Sequence, residues 1–536
     1  MKTKYVFPLL LALASCSKKG DLTNPVNINP DNGNGNSNNN DSVDAGYSYK
    51  NWANTTLDTT VDPTKPNIIF IICDQMFVDK INAMGKSGAM GGSYNKTPNL
   101  DYMIRNGYYF CNAFCAFPLS VPSRFSLFTG CNAAEYSMNG NDVTSQVHID
   151  QVQDVISKGP LLGTLFQKAG YNTVYGGKTH LPGVGGNKAQ ANLYGFTDYY
   201  SSDQRSQLGL DAAKAIGSYA RKDKPFFLVA SFINPHDIDF YDSLIGYPVT
   251  DEDAEGSAAD VIQPFWGTSN TYIAAGTWPA VFPPIIPNLA RTDPSPVGTL
   301  AYHNNMPGVH PGFLRPDTTI RLWRQRSWLY DRLCEALDSN LTPIMDTIRN
   351  LQLLNNTILI FTADHGELNG AHELERKQSP YNECQKVPFI FLGKGIKQKK
   401  DDSNWVINGY DLQPTLCDIV GIVAPERGAG GISLKSVLTG ASAVPEKPRD
   451  YFFTDGPGWH QIVYQKQYKY TLIFIPNTGG VWWETLIDLS SDPLELNNLK
   501  GDPNYQGIKM TLRNLLVPDM QRRPLITNLA KLNNIQ

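Results

Sequence analysis

The stretch Asn67-Ile68-Ile69-Phe70-Ile71-Ile72-Cys73-Asp74-Gln75 decides how the rest of the chain reads. Ile68 to Ile72 are all large and apolar, with no polar alternation. Such a run predicts a strand buried on both faces, as in a parallel sheet with helices on either side. Comparable runs recur at Thr173 to Tyr175, Phe226 to Phe232, Thr357 to Phe361 and Phe389 to Leu392, with segments of helical period between them. Tyr330 to Leu351 carries Leu333, Leu337, Leu341, Ile344 and Ile348 at helical spacing, and Pro343 inside it predicts a kink or a split. The fold expected is α/β, a large and mostly parallel sheet sandwiched by helices. After about Asp450 the texture changes. Tyr451 to Thr454, Gln461 to Tyr464, Tyr468 to Phe474 and Trp482 to Leu489 read as antiparallel strands, and Ile508 to Leu516 as a closing helix. They predict a smaller C-terminal antiparallel-sheet subdomain.

Polar residues follow the apolar runs closely. Asp74 and Gln75 come after the first, Lys178 and His180 after the second, His236 after the third, and Asp364 and His365 after the fourth. Ligands bind open parallel sheets at the carboxyl ends of the strands. Four strands therefore deliver acids, histidines and a lysine to one edge.

The 536 residues carry 46 Lys plus Arg against 50 Asp plus Glu, a net charge of −4. Without a basic excess there is no footprint for nucleic acid, so an anionic substrate must be held by a local site. At the N-terminus, Lys2 and Lys4 precede an apolar run from Val6 to Ala14 that is too short to span a bilayer. Leu13-Ala14-Ser15-Cys16 is similar to a bacterial lipobox, which implies acylation of Cys16 and a lipid anchor on a bacterial membrane, periplasmic or at the cell surface. An ordinary signal peptide with an incidental cysteine is the alternative. Residues 17–62, rich in Asn, Gly and Ser, read as a flexible tether. The expected organisation is thus 1–16 signal peptide, 17–62 tether, 63–445 catalytic domain and 446–536 C-terminal α+β subdomain. The remaining cysteines are odd in number and irregular in spacing, so they read as buried small residues rather than a disulfide framework.

Ser120-Val121-Pro122-Ser123-Arg124, running on to Thr129-Gly130, resembles the signature of the formylglycine-dependent sulfatases of the alkaline-phosphatase-like superfamily. Pro122 suits the first turn of a helix, whose N-terminus favours anions. Taken alone, the string would be an ordinary helix start. It is joined by Thr97-Pro98-Asn99-Leu100-Asp101, Gly177-Lys178-Thr179-His180, Pro235-His236, Asp364-His365-Gly366 with His372, Lys377 and Tyr381, and Leu489-Ser490-Ser491-Asp492-Pro493. The resemblance spans about Pro66 to Leu499.

That resemblance implies oxidation of Ser120 to formylglycine (3-oxoalanine) by a serine-competent anaerobic maturase. The hydrated aldehyde attacks sulfur, and the alcohol leaves before sulfate does. Asp74, Gln75, Asp364 and His365 are implied as ligands of a divalent metal, Ca²⁺ first and Mg²⁺ second, since carboxylate and carbonyl oxygens suit hard cations. Gln75 stands where many relatives carry a second Asp, and His365 where many carry Asn. Arg124, Lys178 and Lys377 are implied to hold the charges of nucleophile and sulfate. His236 would protonate the leaving alcohol and His180 would take the proton that expels sulfate. His372, Trp459 and His460 are candidate substrate-binding residues, with His303 and Arg324 as further pocket candidates. His372 reads equally well as a structural hydrogen-bonding residue, and each of the others as a stray histidine, arginine or exposed aromatic.

The expected activity is sulfuric-ester hydrolysis on a sulfated small molecule or glycan, because aromatic faces stack on sugar rings. Two alternatives come from the same residues. A phosphate-ester hydrolase of the superfamily would show a second metal set. A non-catalytic glycan-binding lipoprotein would have lost Arg124, Lys178, His180 or His236.

Overall fold

The protein is described by a computed structural model covering residues 65–85, 95–242, 247–248, 283, 286–289, 316–474 and 481–523. Cys16, the tether and His303 lie outside the described residues. The large sheet comprises β1 (Asn67–Asp74), β2 (Tyr108–Phe114), β3 (Asn172–Gly177), β4 (Asp198–Ser201), β5 (Phe226–Pro235), β8 (Thr357–Ala363), β9 (Phe389–Gly393) and β10 (Lys399–Ile407). Between β5 and β8, β6 (Tyr241–Asp242) and β7 (Tyr247–Pro248) form a two-stranded ribbon. The large sheet runs in the order β10-β2-β9-β8-β1-β5-β3-β4. β1 is central, parallel to both β5 and β8, and every one of its residues is buried. This is the outcome its unbroken apolar run demands.

One strand departs from expectation. β9 pairs antiparallel with both β8 and β2, whereas its apolar run was read as parallel. The chain between β8 and β9 stays on short turns, the 3-10 turn Ala371–Glu373 and the helix Asn382–Gln385. It carries no long crossover helix back to the opposite edge, so the next strand starts where the last one ended. The helix expected from Tyr330 to Leu351 spans Pro316–Asn350 and is continuous through Pro343.

The second sheet is a meander, β11 (Tyr451–Gly456), β12 (Trp459–Tyr464), β13 (Tyr468–Phe474) and β14 (Val481–Asp488). Ile462, Tyr470, Leu472 and Leu486 pack against Leu512, Leu516 and Met520 of the helix Gln506–Met520. Both sheets belong to one compact unit.

Candidate active site

Helix Ser120–Thr129 begins at Ser120, and all ten of its residues are buried. It lies beneath the carboxyl ends of β1 and β8, so its first turn meets the residues those strands release. Ser120 Oγ stands 3.1 Å from His365 Nε2 and 3.5 Å from Asp74 Oδ1. Ser123 Oγ donates to the Asp364 carbonyl. Arg124 fills the centre: Nε donates to Asp364 Oδ2 at 2.9 Å, Nη2 to Asp74 Oδ2 at 3.1 Å, and Nη1 to Ser231 Oγ at 2.8 Å and to the Lys178 carbonyl at 3.2 Å. Lys178 Nζ adds an ion pair to Asp74 Oδ2 at 2.7 Å.

These contacts fix the charge states. Burial alone would raise the Asp74 carboxyl, but Lys178, His236, Arg124 and Lys377 together hold it well below its ordinary range. Burial lowers Lys178, with Asp74 opposing and Arg124 adding to the fall. Burial and Lys178 push His180 well down; burial, Lys377 and Lys178 do the same to His236. Three cations, Arg124, Lys178 and Lys377, thus share the site with neutral imidazoles and the carboxylates they pair with.

Asp74, Asp364 and His365 bring one ligand atom each within 4.8 Å of one another, a buried group fit to hold a metal ion. His365 Nδ1 faces the Gly366 carbonyl at 2.9 Å, which leaves Nε2 toward Ser120 and the two acids. Two carboxylates with one imidazole suit a divalent cation. Gln75 adjoins the group. Its N–H donates to Asp364 Oδ1 at 3.0 Å, and its Oε1 accepts from Lys377 Nζ at 2.6 Å.

His236 opens the 3-10 turn His236–Phe240, and its Nε2 lies 3.5 Å from Asp239 Oδ2. Asp239 also pairs with Lys377 Nζ at 3.2 Å and accepts from Gln75 Nε2 at 2.6 Å. Glu367 Oε2 accepts from the same Nε2 at 2.6 Å. Neither acid was read from the sequence. The available signal was position: Asp239 lies one 3-10 turn beyond His236, on the same side, and Glu367 two residues beyond His365.

Four further candidates are held by contacts of their own. Trp459 is buried and donates through Nε1 to the Gln378 carbonyl at 2.8 Å. His460 is buried against Asp455. His372 stacks on Tyr381 at 3.6 Å between ring centres, with Nε2 3.3 Å from Asn288 Nδ2. Trp459 thereby secures the backbone next to Lys377. Arg324 donates through Nε to the Pro283 carbonyl at 2.5 Å.

A mostly parallel sheet with acids, imidazoles and a helix-borne serine at its carboxyl edge defines an esterase of the alkaline-phosphatase-like class. Residues 66–422 match the sulfatase family, and residues 370–522 match the C-terminal region of N-sulphoglucosamine sulphohydrolase. The chain belongs to the sulfatase family and is a sulfuric-ester hydrolase. Delta 4,5-hexuronate-2-O-sulfatase of Bacteroides thetaiotaomicron is 28% identical over 473 residues, covering 84% of this chain and 88% of that protein. N-acetylglucosamine-6-O-sulfatase of the same organism is 26% identical over 525 residues, covering 88% of each. The solved structure of a 2-O GAG sulfatase superposes with a TM-score of 0.64 at 26% identity, over 86% of this chain and 92% of that one. A phosphonate monoester hydrolase of Agrobacterium radiobacter shares the fold, with a TM-score of 0.60 at 19% identity over 85% and 96% of the two chains.

Proposed function

We propose that the enzyme removes sulfate from a sulfated carbohydrate, with residue 120 acting as formylglycine beside a calcium ion, magnesium being second choice. The observation that carries this is the placement of Ser120 Oγ, 3.1 Å from His365 Nε2 and 3.5 Å from Oδ1 of Asp74, the carboxylate that pairs with both Lys178 and Arg124. A carbohydrate substrate is supported by the relatives named for 2-O-sulfated hexuronate and 6-O-sulfated N-acetylglucosamine.

Asp74, Asp364, His365 and the Gln75 carbonyl would hold the metal, which when bound supplies positive charge that polarises the ester. Formylglycine, once hydrated, supplies a hydroxyl able to attack sulfur. The chain's own groups do the rest. Arg124 and Lys178 bring positive charge to the nucleophile, and Lys377 brings it from the opposite side. Because Arg124 is wholly buried and held by four acceptors, its charge is preorganised and needs no reorientation as charge develops. His236 Nε2 hands a proton to the departing sugar oxygen, and His180 removes one from residue 120 as sulfate leaves. An anion entering the pocket opposes the cations that keep the ring neutral, so substrate binding raises the affinity of His236 for a proton, which it takes from solvent.

Maturation requires a serine-competent anaerobic maturase, and attachment is by lipid at Cys16, on the periplasmic or outer face of a bacterial membrane. Mass spectrometry of the peptide spanning residue 120 tests the central claim. Protein from a host with such a maturase should show an aldehyde there. Ser120→Cys made with a cysteine-specific oxidase should be active, and Ser120→Ala should not. Equal activity in wild type and Ser120→Ala would remove the formylglycine.

A further inference from the structure

Gln75 leaves β1 with φ 70, in the left-handed region. A non-glycine residue holds that conformation only where its surroundings enforce it. Here the backbone is tied on both sides: its N–H donates to Asp364 Oδ1 at 3.0 Å, and its carbonyl accepts from Tyr330 OH at 2.5 Å. The carboxamide is tied as fully. Its two Nε2 hydrogens face Asp239 Oδ1 and Glu367 Oε2, each at 2.6 Å, and Oε1 faces Lys377 Nζ at 2.6 Å. Both donor directions and one of the two acceptor directions have their complement. A flipped amide would set its oxygen against two anions and its hydrogens against an ammonium.

The two acids are themselves restrained. Glu367 Oε1 accepts from Arg326 Nη2 at 2.8 Å and from the N–H groups of Asn369 and Arg376 at 3.0 and 2.8 Å. Asp239 Oδ2 faces Lys377 Nζ at 3.2 Å and His236 Nε2 at 3.5 Å. One carboxylate therefore touches three groups of the sulfate pocket.

We propose that Asp239 and Glu367 are positioning residues, clamping the Gln75 carboxamide so that only its oxygen faces the cationic side of the pocket. The clamp explains the glutamine. A carboxylate at position 75 would meet two others at hydrogen-bond distance, with Lys377 as its own contact cation and Arg326 behind Glu367, whereas an amide donates to both acids. The negative charge missing at position 75 stands behind it, on Asp239 and Glu367. Only the second measurement below rests on the metal reading given above.

The first is a thermal-melting cycle on the full chain with Ser120 unmodified, in chelator, so that neither catalysis nor metal enters. Gln75→Glu keeps the shape and places three carboxylates together; it should melt several degrees lower. Adding Glu367→Gln exchanges donor for acceptor across the same contact and should recover at least half of that loss. If Gln75→Glu fails to fold, recovery of folded protein by the double variant reads the same way. Purely additive losses, or no recovery, would overturn the clamp. The second is calorimetric titration with calcium of the wild type, Asp239→Ala and Glu367→Gln, again with Ser120 unmodified. Partners that orient a ligand typically change metal affinity about 10–100-fold, so Asp239→Ala and Glu367→Gln should each bind calcium at least tenfold more weakly. A merely structural role would lower the melting temperature and leave calcium affinity alone. Wild type and both variants binding calcium equally tightly would overturn the proposal. A wild type that binds no calcium would refute the metal reading, and the melting cycle would then decide the clamp alone.

Discussion

Arg124 has no solvent exposure and makes four hydrogen bonds through a planar fork, to two carboxylates, one hydroxyl and one carbonyl. A lysine ammonium cannot meet those directions from one point. Arg124→Lys should therefore abolish most turnover and destabilise the fold by about 3–5 kcal/mol, the usual result of breaking a buried pair. Urea unfolding beside a rate assay checks both; a stable, active Arg124→Lys would show that charge alone suffices. His236 gives a pH test whose sign is fixed. Acting as an acid, the ring must be protonated, and burial with Lys377 and Lys178 holds its pKa well below the ordinary value. Protonation is thus favoured at low pH and lost as pH rises through that lowered value. The kcat/KM for a sugar sulfate, which reports the free enzyme, should fall as pH rises, with the limb placed on the acid side of ordinary histidine titration. His236→Ala should erase that limb and cost about 10²–10⁴-fold on sugar sulfates while partly sparing an aryl sulfate, whose phenolate leaves unaided. His180→Ala should slow both substrates alike; equal losses for His236→Ala on both would take the acid role from His236. The residues legible in the sequence were those that a strand run or a spaced motif announces, Asp74, Lys178, His236 and Asp364 among them. Asp239 and Glu367 carry no such mark, because their partner is the side chain of Gln75 across the site.

At the level of elements, Gly177 is the hinge between β3 and the two site residues that follow it. Its φ is +89, and a Cβ there would sit 2.1 Å from the Ser231 carbonyl oxygen. That carbonyl accepts from Lys178 N–H at 2.8 Å, and Ser231 Oγ holds Arg124 at 2.8 Å. Gly177→Ala should therefore displace Lys178 and Arg124 together. Gly170 has φ +91 and nothing within 4 Å of its would-be Cβ, so it isolates the backbone cost. Gly170→Ala should lose about 1–3 kcal/mol with activity kept, and Gly177→Ala more than that, with activity lost. Similar losses in both would deny the close approach. The apolar runs forecast β1, β3, β5 and β8 because these strands are central and covered on both sides. β10 was not forecast: it is an edge strand, Lys399–Ile407 carries Lys, Asp, Ser and Asn, and its register shifts between Asp401 and Trp405. Edge strands are kept polar to discourage further pairing, which removes the signal that periodicity reads. The direction of β9 was invisible for a related reason, since a buried strand has the same composition whichever way it runs.

Across the whole molecule, the smaller sheet braces the loop that carries Lys377. Trp459 Nε1 and Gln461 Nε2 donate to the carbonyls of Gln378 and Pro380, and Glu495, paired with Lys469 at 2.6 Å, accepts from Asn382 N–H at 2.6 Å. The change of texture near Asp450 announced that sheet; its bracing task was not legible, because it depends on contacts between residues about 80 positions apart. Ahead of all this, the ordered strand β1 begins at Asn67, and residues 17–62 are too polar to bury a core of their own. On the proposed anchoring at Cys16, the segment between it and β1 would confine the pocket near glycans at the membrane surface. Among the described residues no helix is long and apolar enough to cross a membrane, and the proposed attachment is by lipid at Cys16. Because a single acyl chain binds only marginally, stable attachment implies at least two. Cys16→Ala expressed in a lipoprotein-processing host should lose fatty-acid label and move from the membrane pellet to the soluble fraction. A form lacking residues 1–62 should keep the kcat of the anchored enzyme on a small soluble sulfate. On an insoluble or surface-bound glycan it should lose rate, because only local concentration has changed. A Cys16→Ala protein still in the pellet after an alkaline wash would move the anchor elsewhere. A truncated form with altered kcat on the small substrate would make the tether part of the active enzyme.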